Sequence, residues 1–208
     1  MNKNRLIKKD DFEFRQLILE DEIQAAMQLL HTVYILEQGW LLLESNQSML
    51  RVESLADKKM VVDKFSHSAH WFGAFHKETL VRCLRVLPYP MLELKEYRKL
   101  PSFIDHSGVS EMNRLAVLPA YRGHKFVMVL LIRLALDHAF SLGSTVYVTA
   151  TTPQPAKLFE KLGFIRANLP PFKYNEAESV KVELLYGQFS DRNSYSLYRW
   201  SDKLMISE

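Results

Sequence analysis

The segment from Glu111 to Phe164 constrains this chain most. It begins Glu-Met-Asn-Arg-Leu-Ala-Val-Leu-Pro-Ala-Tyr-Arg-Gly and closes Leu-Phe-Glu-Lys-Leu-Gly-Phe. That pattern predicts a strand bearing two charges, a tight basic turn, a long apolar helix, a second strand, and a short helix stopped by Gly163. A strand that feeds a helix N-terminus across a basic turn suits an anionic group, because the first amides of the helix lack partners and its dipole points there. Glu111 and Arg114, three residues apart on or beside that strand, add a candidate acid–base group. The expectation is chemistry on a phosphorylated carrier.

At 208 residues the chain fits one full-sized domain over residues 1–208, large enough to fold without a disulfide staple. The single cysteine, Cys83, has no partner for an internal disulfide, so a reducing compartment is expected. The 27 Lys and Arg against 24 Asp and Glu leave a net charge of +3, enough for an acidic partner or a phosphorylated ligand. Nucleic-acid binding would need a denser basic stripe and is not expected. The first residues lack an apolar core of signal-peptide length, and no apolar run is long enough to span a membrane, so a cytoplasmic protein is expected.

Along the chain, Phe12 to Leu19 reads as a first strand, and Glu20-Asp21-Glu22 place acidic charge where a helix N-terminus favours it. Ile23, Met27, Leu30, Val33, Tyr34 and Leu36 continue at mostly helical spacing until Gly39. Residues 41 to 66 read as an irregular segment with a helical piece, suited to a mobile cover. Ala69 to Phe75 and Leu80 to Leu87 read as a β-hairpin ended by Pro88 and Pro90. Residues 91 to 103 suggest a short helix or turn, and Val109 to Val117 a strand stopped by Pro119. Val127 to Ser141 reads as a helix closed by Gly143, Thr145 to Ala150 as a strand, and Pro155 to Leu162 as a short helix. Further strands are expected near Phe164 to Ala167, Val180 to Leu185 and Tyr195 to Trp200. The sum is one α+β domain with a mixed central sheet flanked by helices.

This element order resembles the GNAT superfamily of acyltransferases, whose sheet is splayed. The superfamily's pyrophosphate loop has the pattern Arg/Gln-x-x-Gly-x-Gly/Ala; Arg122-Gly123-His124-Lys125-Phe126-Val127 keeps the leading Arg but carries Lys125 and Val127 at the later small positions. Bulky side chains there obstruct the approach of backbone amides to a pyrophosphate. Phe159 stands where the superfamily often has a Tyr acid. A closer resemblance, from about Leu30 to Phe164, is to the acyl-homoserine-lactone (autoinducer) synthases and the N-acyl amino acid synthases. It is carried by Val33-Tyr34 with Gly39-Trp40, Asp63-Lys64-Phe65, and His70-Trp71-Phe72-Gly73-Ala74-Phe75. Cys83-Leu84-Arg85-Val86-Leu87-Pro88, Glu111 to Val117, Val146 to Thr151 and Leu162-Gly163-Phe164 complete the set.

The resemblance implies transfer of a fatty acyl group from an acyl carrier protein thioester to the amine of a small acceptor. Glu111 would be the base, and Arg114 and Arg85 orienting charges. The backbone at Ala116 or Val117 would donate to the thioester oxygen. Trp40, Asp63, Arg85 and Val117 would form the substrate site, and Arg122, Gly123, His124 and Lys125 would contact the phosphopantetheine arm or the carrier. Leu30, Tyr34 and Ser66 stand where the autoinducer synthases have an Arg, a Phe and a second Asp; the missing Arg and Asp belong to those enzymes' charge network beside the S-adenosylmethionine site, so the resemblance favours an amino acid as acceptor. Read without the resemblance, Glu111 and Arg114 fit separate surface ion pairs, Asp63 and Arg85 a structural pair, Trp40 a core aromatic, and the basic turn a solvated loop. Acyl-CoA as donor and a non-catalytic acyl- or carrier-binding regulator are the alternative functions. No permanently bound cofactor and no metal are expected, since no His-x-x-x-His or Cys-x-x-Cys spacing occurs.

Overall fold

The computed structural model describes residues 6–40, 42, 46–174, 181–188 and 195–206. The chain divides into two compact units interleaved in sequence: Met1–Val86 with Arg114–Ala135, and Leu87–Asn113 with Leu136–Glu208.

In the first unit, β1 (Ile7–Lys9), β2 (Phe12–Leu17), β5 (His70–His76) and β6 (Thr79–Pro88) lie side by side, each antiparallel to the next. Helix α1 (Glu20–Leu30) starts where its acidic first turn meets the orphan amides: the Glu22 carboxylate accepts from the Ile18 and Leu19 N–H groups at 3.2 and 3.3 Å. Its buried residues Ala26, Met27, Leu29 and Leu30 continue into a π-helical stretch, His31–Glu37, which ends at Gly39 with φ +67°. Leu30, Val33, Tyr34, Trp71, Cys83 and Ala116 belong to one apolar core.

Residues 41–66 differ from expectation. Residues 41 and 43–45 lie outside the described set, but β3 (Arg51–Leu55) and β4 (Lys58–Val62) form an antiparallel hairpin in place of an irregular cover. Its two-residue connection, Ala56 and Asp57, takes φ +47° and +65°, the left-handed pair that hairpin turns need. Neither residue is glycine, so the usual sequence signal was missing.

In the second unit, the start of β7 (Val109–Val117) runs parallel to β8 (Val146–Thr151), which pairs antiparallel with β10 (Glu183–Gln188), which in turn pairs with β9 (Ile165–Arg166). Described pairing of β7 with β8 spans Val109↔Val146 to Glu111↔Val148, whereas β8 stays paired with β10 up to Thr151. The sheet is therefore mixed, and the β7–β8 partnership ends at Glu111. Helix α2 (Leu94–Tyr97) falls within the 91–103 segment, as expected. Helix α3 (Lys125–Ser141), which passes from the first unit into the second, is buried around most of its circumference, so its residues are apolar without a solvated stripe. Among the described residues no helix is long and apolar enough to cross a membrane.

Helix α4 (Pro153–Lys161) ends at Gly163, φ +102°, where an added Cβ would lie 2.7 Å from the Tyr195 ring. Gly163→Ala is therefore expected to destabilise the protein by about 1–3 kcal/mol, read as a lower midpoint in urea. Tyr195 to Trp200 is not a strand: α5 (Ser196–Ile206) is a helix. Alternating aromatic and polar residues imitate a strand, but Leu197, Tyr198 and Ser201 are the buried set, which is a helical face. The Tyr198 hydroxyl anchors that face by donating to Asp137 Oδ1 at 3.2 Å. The expected strand over Val180 to Leu185 is present as β10, although Val180 itself lies outside the described residues.

Candidate active site

Asp63 follows β4 and folds back on its own turn. Its Oδ1 accepts from the Phe65 N–H at 2.9 Å and the Ser66 hydroxyl at 3.2 Å, while its N–H donates to Ser66 Oγ at 2.9 Å. This local turn aims the carboxylate inward, where Arg85 Nη1 donates to Oδ1 at 2.7 Å and Oδ2 at 2.9 Å. Arg114 donates to the same Oδ2 from Nε at 3.2 Å and Nη2 at 2.8 Å. The structure thus brings three of the sequence candidates together and makes Ser66 a strut for Asp63. Arg85 is fully buried, with its guanidinium 5.5 Å from the Trp71 ring and 5.9 Å from Phe65. Burial alone would raise the Asp63 pKa, but the charges of Arg85 and Arg114 and their hydrogen bonds outweigh it and hold the carboxyl well below the usual carboxylate range. One carboxylate thus bridges two guanidinium groups.

Arg114 adopts φ +53°, which is uncommon for a long side chain within a strand and interrupts the alternation of β7. Glu111, on the preceding part of β7, is fully buried in the second unit. Its Oε2 accepts from the Leu94 N–H at 2.9 Å, one of the orphan amides that open α2, and its Oε1 accepts from Asn113 Nδ2 at 2.8 Å. The same Nδ2 donates to Glu93 Oε2 at 2.8 Å, and Glu93 is 2% exposed. Asn113 and Glu93 were absent from the sequence candidates. Asn113 was legible in principle, because residues two apart on a strand share a face; nothing in the spacing of Glu93 pointed to it.

Trp40 is half-buried and stacks on Tyr34 with ring centroids 4.3 Å apart. The Tyr34 hydroxyl donates to the Leu115 carbonyl at 3.1 Å, a bond that phenylalanine could not make. Ala116 is buried and Val117, the last residue of β7, is half-buried. The buried Cys83 thiol donates weakly to the Ala26 and Arg114 carbonyls at 3.8 and 3.9 Å, and burial pushes its pKa up to about 12. Cys83 is therefore a protonated core residue rather than a nucleophile.

The basic turn before α3 is exposed. Arg122 pairs with Glu37 at 2.5 Å, and the exposed His124 ring lies 5.4 Å from Phe12 and 6.0 Å from Phe126. Gly123 has open space where a Cβ would stand, and Lys125 is the first residue of α3. The amides of Arg122, His124, Lys125 and Val127 close local turns onto Pro119, Tyr121, Gly123 and His124. No group of His, Cys, Asp and Glu among the described residues could hold a metal ion.

Residues 33–164 match the acetyltransferase (GNAT) family. The chain belongs to that family. Comparison with curated protein sequences yields no match. Solved structures carry the GNAT likeness at the level of fold. The CoA-dependent acyl-homoserine lactone synthase BjaI superposes with TM-score 0.65 at 16% identity, covering 91% of this chain and 84% of that one. FeeM, an N-acyl amino acid synthase from uncultured soil microbes, gives TM-score 0.59 at 17% identity over 95% of this chain and 99% of its own. The AHL synthase LasI gives 0.59 at 14% identity, with 89% and 91% covered. A GNAT protein is an acyltransferase by family.

Proposed function

We propose that this GNAT protein is an N-acyltransferase that moves a fatty acyl group from the phosphopantetheine thioester of an acyl carrier protein to the amine of a small acceptor such as an amino acid. The working unit is a single acyltransferase domain over residues 1–208. The observation that carries this reading is Glu111: a fully buried carboxylate, with both oxygens held by N–H donors, on the strand where pairing with β8 ends. Likeness to FeeM, LasI and BjaI supports acyl transfer to an amine.

An ammonium cannot attack until it loses a proton, and Glu111 accepts that proton. The freed amine adds to the thioester carbonyl carbon, and negative charge moves onto the carbonyl oxygen. The Ala116 N–H is assigned to donate to that oxygen as charge develops there. On collapse the C–S bond breaks, the amide forms, and the second amine proton passes to the departing thiolate. Arg114 and Arg85, fixed on Asp63, orient an acceptor carboxylate. Trp40 and Val117 provide apolar walls, and Arg122, Gly123, His124 and Lys125 face the phosphopantetheine arm or the carrier's acidic surface. Acyl-CoA as donor is the second reading, favoured by the CoA dependence of BjaI.

Mass spectrometry of lipids from a bacterial host expressing the protein tests this. A new N-acylated amine that disappears with Glu111→Ala is the expected result, and its mass names acceptor and chain length. No new product from the folded protein, and none from purified protein supplied with acyl carrier protein or CoA thioesters and amino acids, would reject the reading.

A further inference from the structure

Arg82 lies one residue from Cys83 on β6 and is a buried cation that the chemistry above does not use. It is 3% exposed, and side chains alternate along a strand, so it faces away from Cys83 and Arg85. Its Nη2 donates to the Tyr121 carbonyl at 3.3 Å, while Nε and Nη1 are buried without a hydrogen-bond partner. No carboxylate pairs with it among the described residues. Burial draws its pKa down to about 10. A desolvated guanidinium with unmade hydrogen bonds lowers stability, and residues kept at such a cost belong more often to function than to packing.

The position of this charge is informative. The Tyr121 carbonyl that Arg82 holds also accepts the His124 N–H at 3.3 Å, so Arg82 sits beneath the turn that leads into α3. That turn is poorly equipped to cradle a phosphate with its backbone. Four of its amides close local turns, its later small positions carry Lys125 and Val127, and Arg122 is engaged by Glu37. A helix N-terminus with few free amides still offers its dipole, and a buried charge behind it is far less screened than a surface lysine.

We propose that Arg82 is the positioning charge of a phosphate subsite at the entrance to α3, its field and its hold on the Tyr121 carbonyl replacing the backbone cradle that this loop lacks. The identity of the ligand, a phosphate on the pantetheine arm of a thioester donor, rests on the acyltransferase reading above. The phosphate is then the counter-charge for a cation that the protein leaves without one.

Calorimetric titration of the full chain with 4′-phosphopantetheine and with pantetheine tests the assignment. The wild-type protein is expected to bind the phosphorylated compound more tightly. In Arg82→Met that preference falls roughly tenfold, as expected for one buried charge acting on another across a turn, while pantetheine binding is unchanged. Arg82→Lys retains most of the preference. Arg82→Met is also expected to melt no lower than wild type, because an apolar chain of similar length replaces an uncompensated charge. Absence of phosphate preference in the wild type overturns the proposal, and so does its persistence in Arg82→Met. A large fall in melting temperature with both ligands weakened equally would make Arg82 merely structural and overturn it too. Because these readouts need no turnover, phosphate preference without any N-acyl product would retain the subsite and reject the acyl-transfer reading.

Discussion

Glu111→Gln is expected to lower kcat/KM for amide formation by roughly 10²- to 10⁴-fold, the usual contribution of a positioned base. The substitution keeps the shape of the side chain and removes its capacity to take a proton. It also creates a local conflict, since both oxygens now accept from N–H groups, Leu94 and Asn113, and a glutamine presents one acceptor and one donor. One donor therefore faces another, at a cost of about 1–3 kcal/mol. Steady-state kinetics should be run well below the variant's melting temperature, with circular dichroism to verify the fold. Turnover within a factor of two of wild type would remove Glu111 from the role of base.

Asp63→Asn should have the largest effect on stability. It removes the negative charge that bridges Arg85, which is fully buried, and the Arg114 guanidinium, whose side chain is 8% exposed. Removing one partner of a buried ion pair typically costs about 3–5 kcal/mol, or a fall of roughly 6–20 °C in Tm for a chain of this size. The effect depends on pH with a definite sign. The folded-state pKa of Asp63 lies below the ordinary value of 3.8, so its contribution is fully present above that value and is lost as pH falls toward the folded pKa. The unfolded chain binds the proton first. Urea titrations of wild type and Asp63→Asn should therefore differ by a constant amount from pH 5 to 7. The gap should narrow by about 1 kcal/mol at pH 3. A gap that stays constant down to pH 3 would mean that the carboxylate is not held ionised by the two arginines.

The contrast between these residues shows what the chain makes legible. Val109 to Val117 was expected as a strand and is one, residue for residue, because a segment without Gly or Pro is bounded by Gly108 and Pro119. The helix expected over Val127 to Ser141 was legible for a similar reason, since no internal breaker interrupts it, and the structure starts it two residues earlier, at Lys125. The β3–β4 hairpin was not, because Ala56 and Asp57 accept left-handed backbone conformations that their side chains do not advertise. Nor was α5, where aromatic alternation pointed to a strand and the burial of Leu197, Tyr198 and Ser201 selected a helix. Local propensity is a weak prior that tertiary burial overrides.

Among the site candidates the division has the same cause. The sequence by itself determined the order of elements, the presence of Asp63, Arg85, Glu111 and Arg114 at positions that resemble the autoinducer synthases' charged set, and the bulky Lys125 and Val127 in the turn before α3. These follow from residue type and spacing along one chain. Only the tertiary structure decided that Asp63 is shared by two arginines, that Arg114 turns left-handed within β7, and that Glu111 is held by the Leu94 amide and Asn113. It also decided that Arg82, three residues from Arg85 in the same strand, carries its charge without a carboxylate among the described residues. Hydrogen bonds and ion pairs between residues far apart in sequence depend on directions in space, and a linear pattern of residue types does not encode which of two buried arginines meets the aspartate.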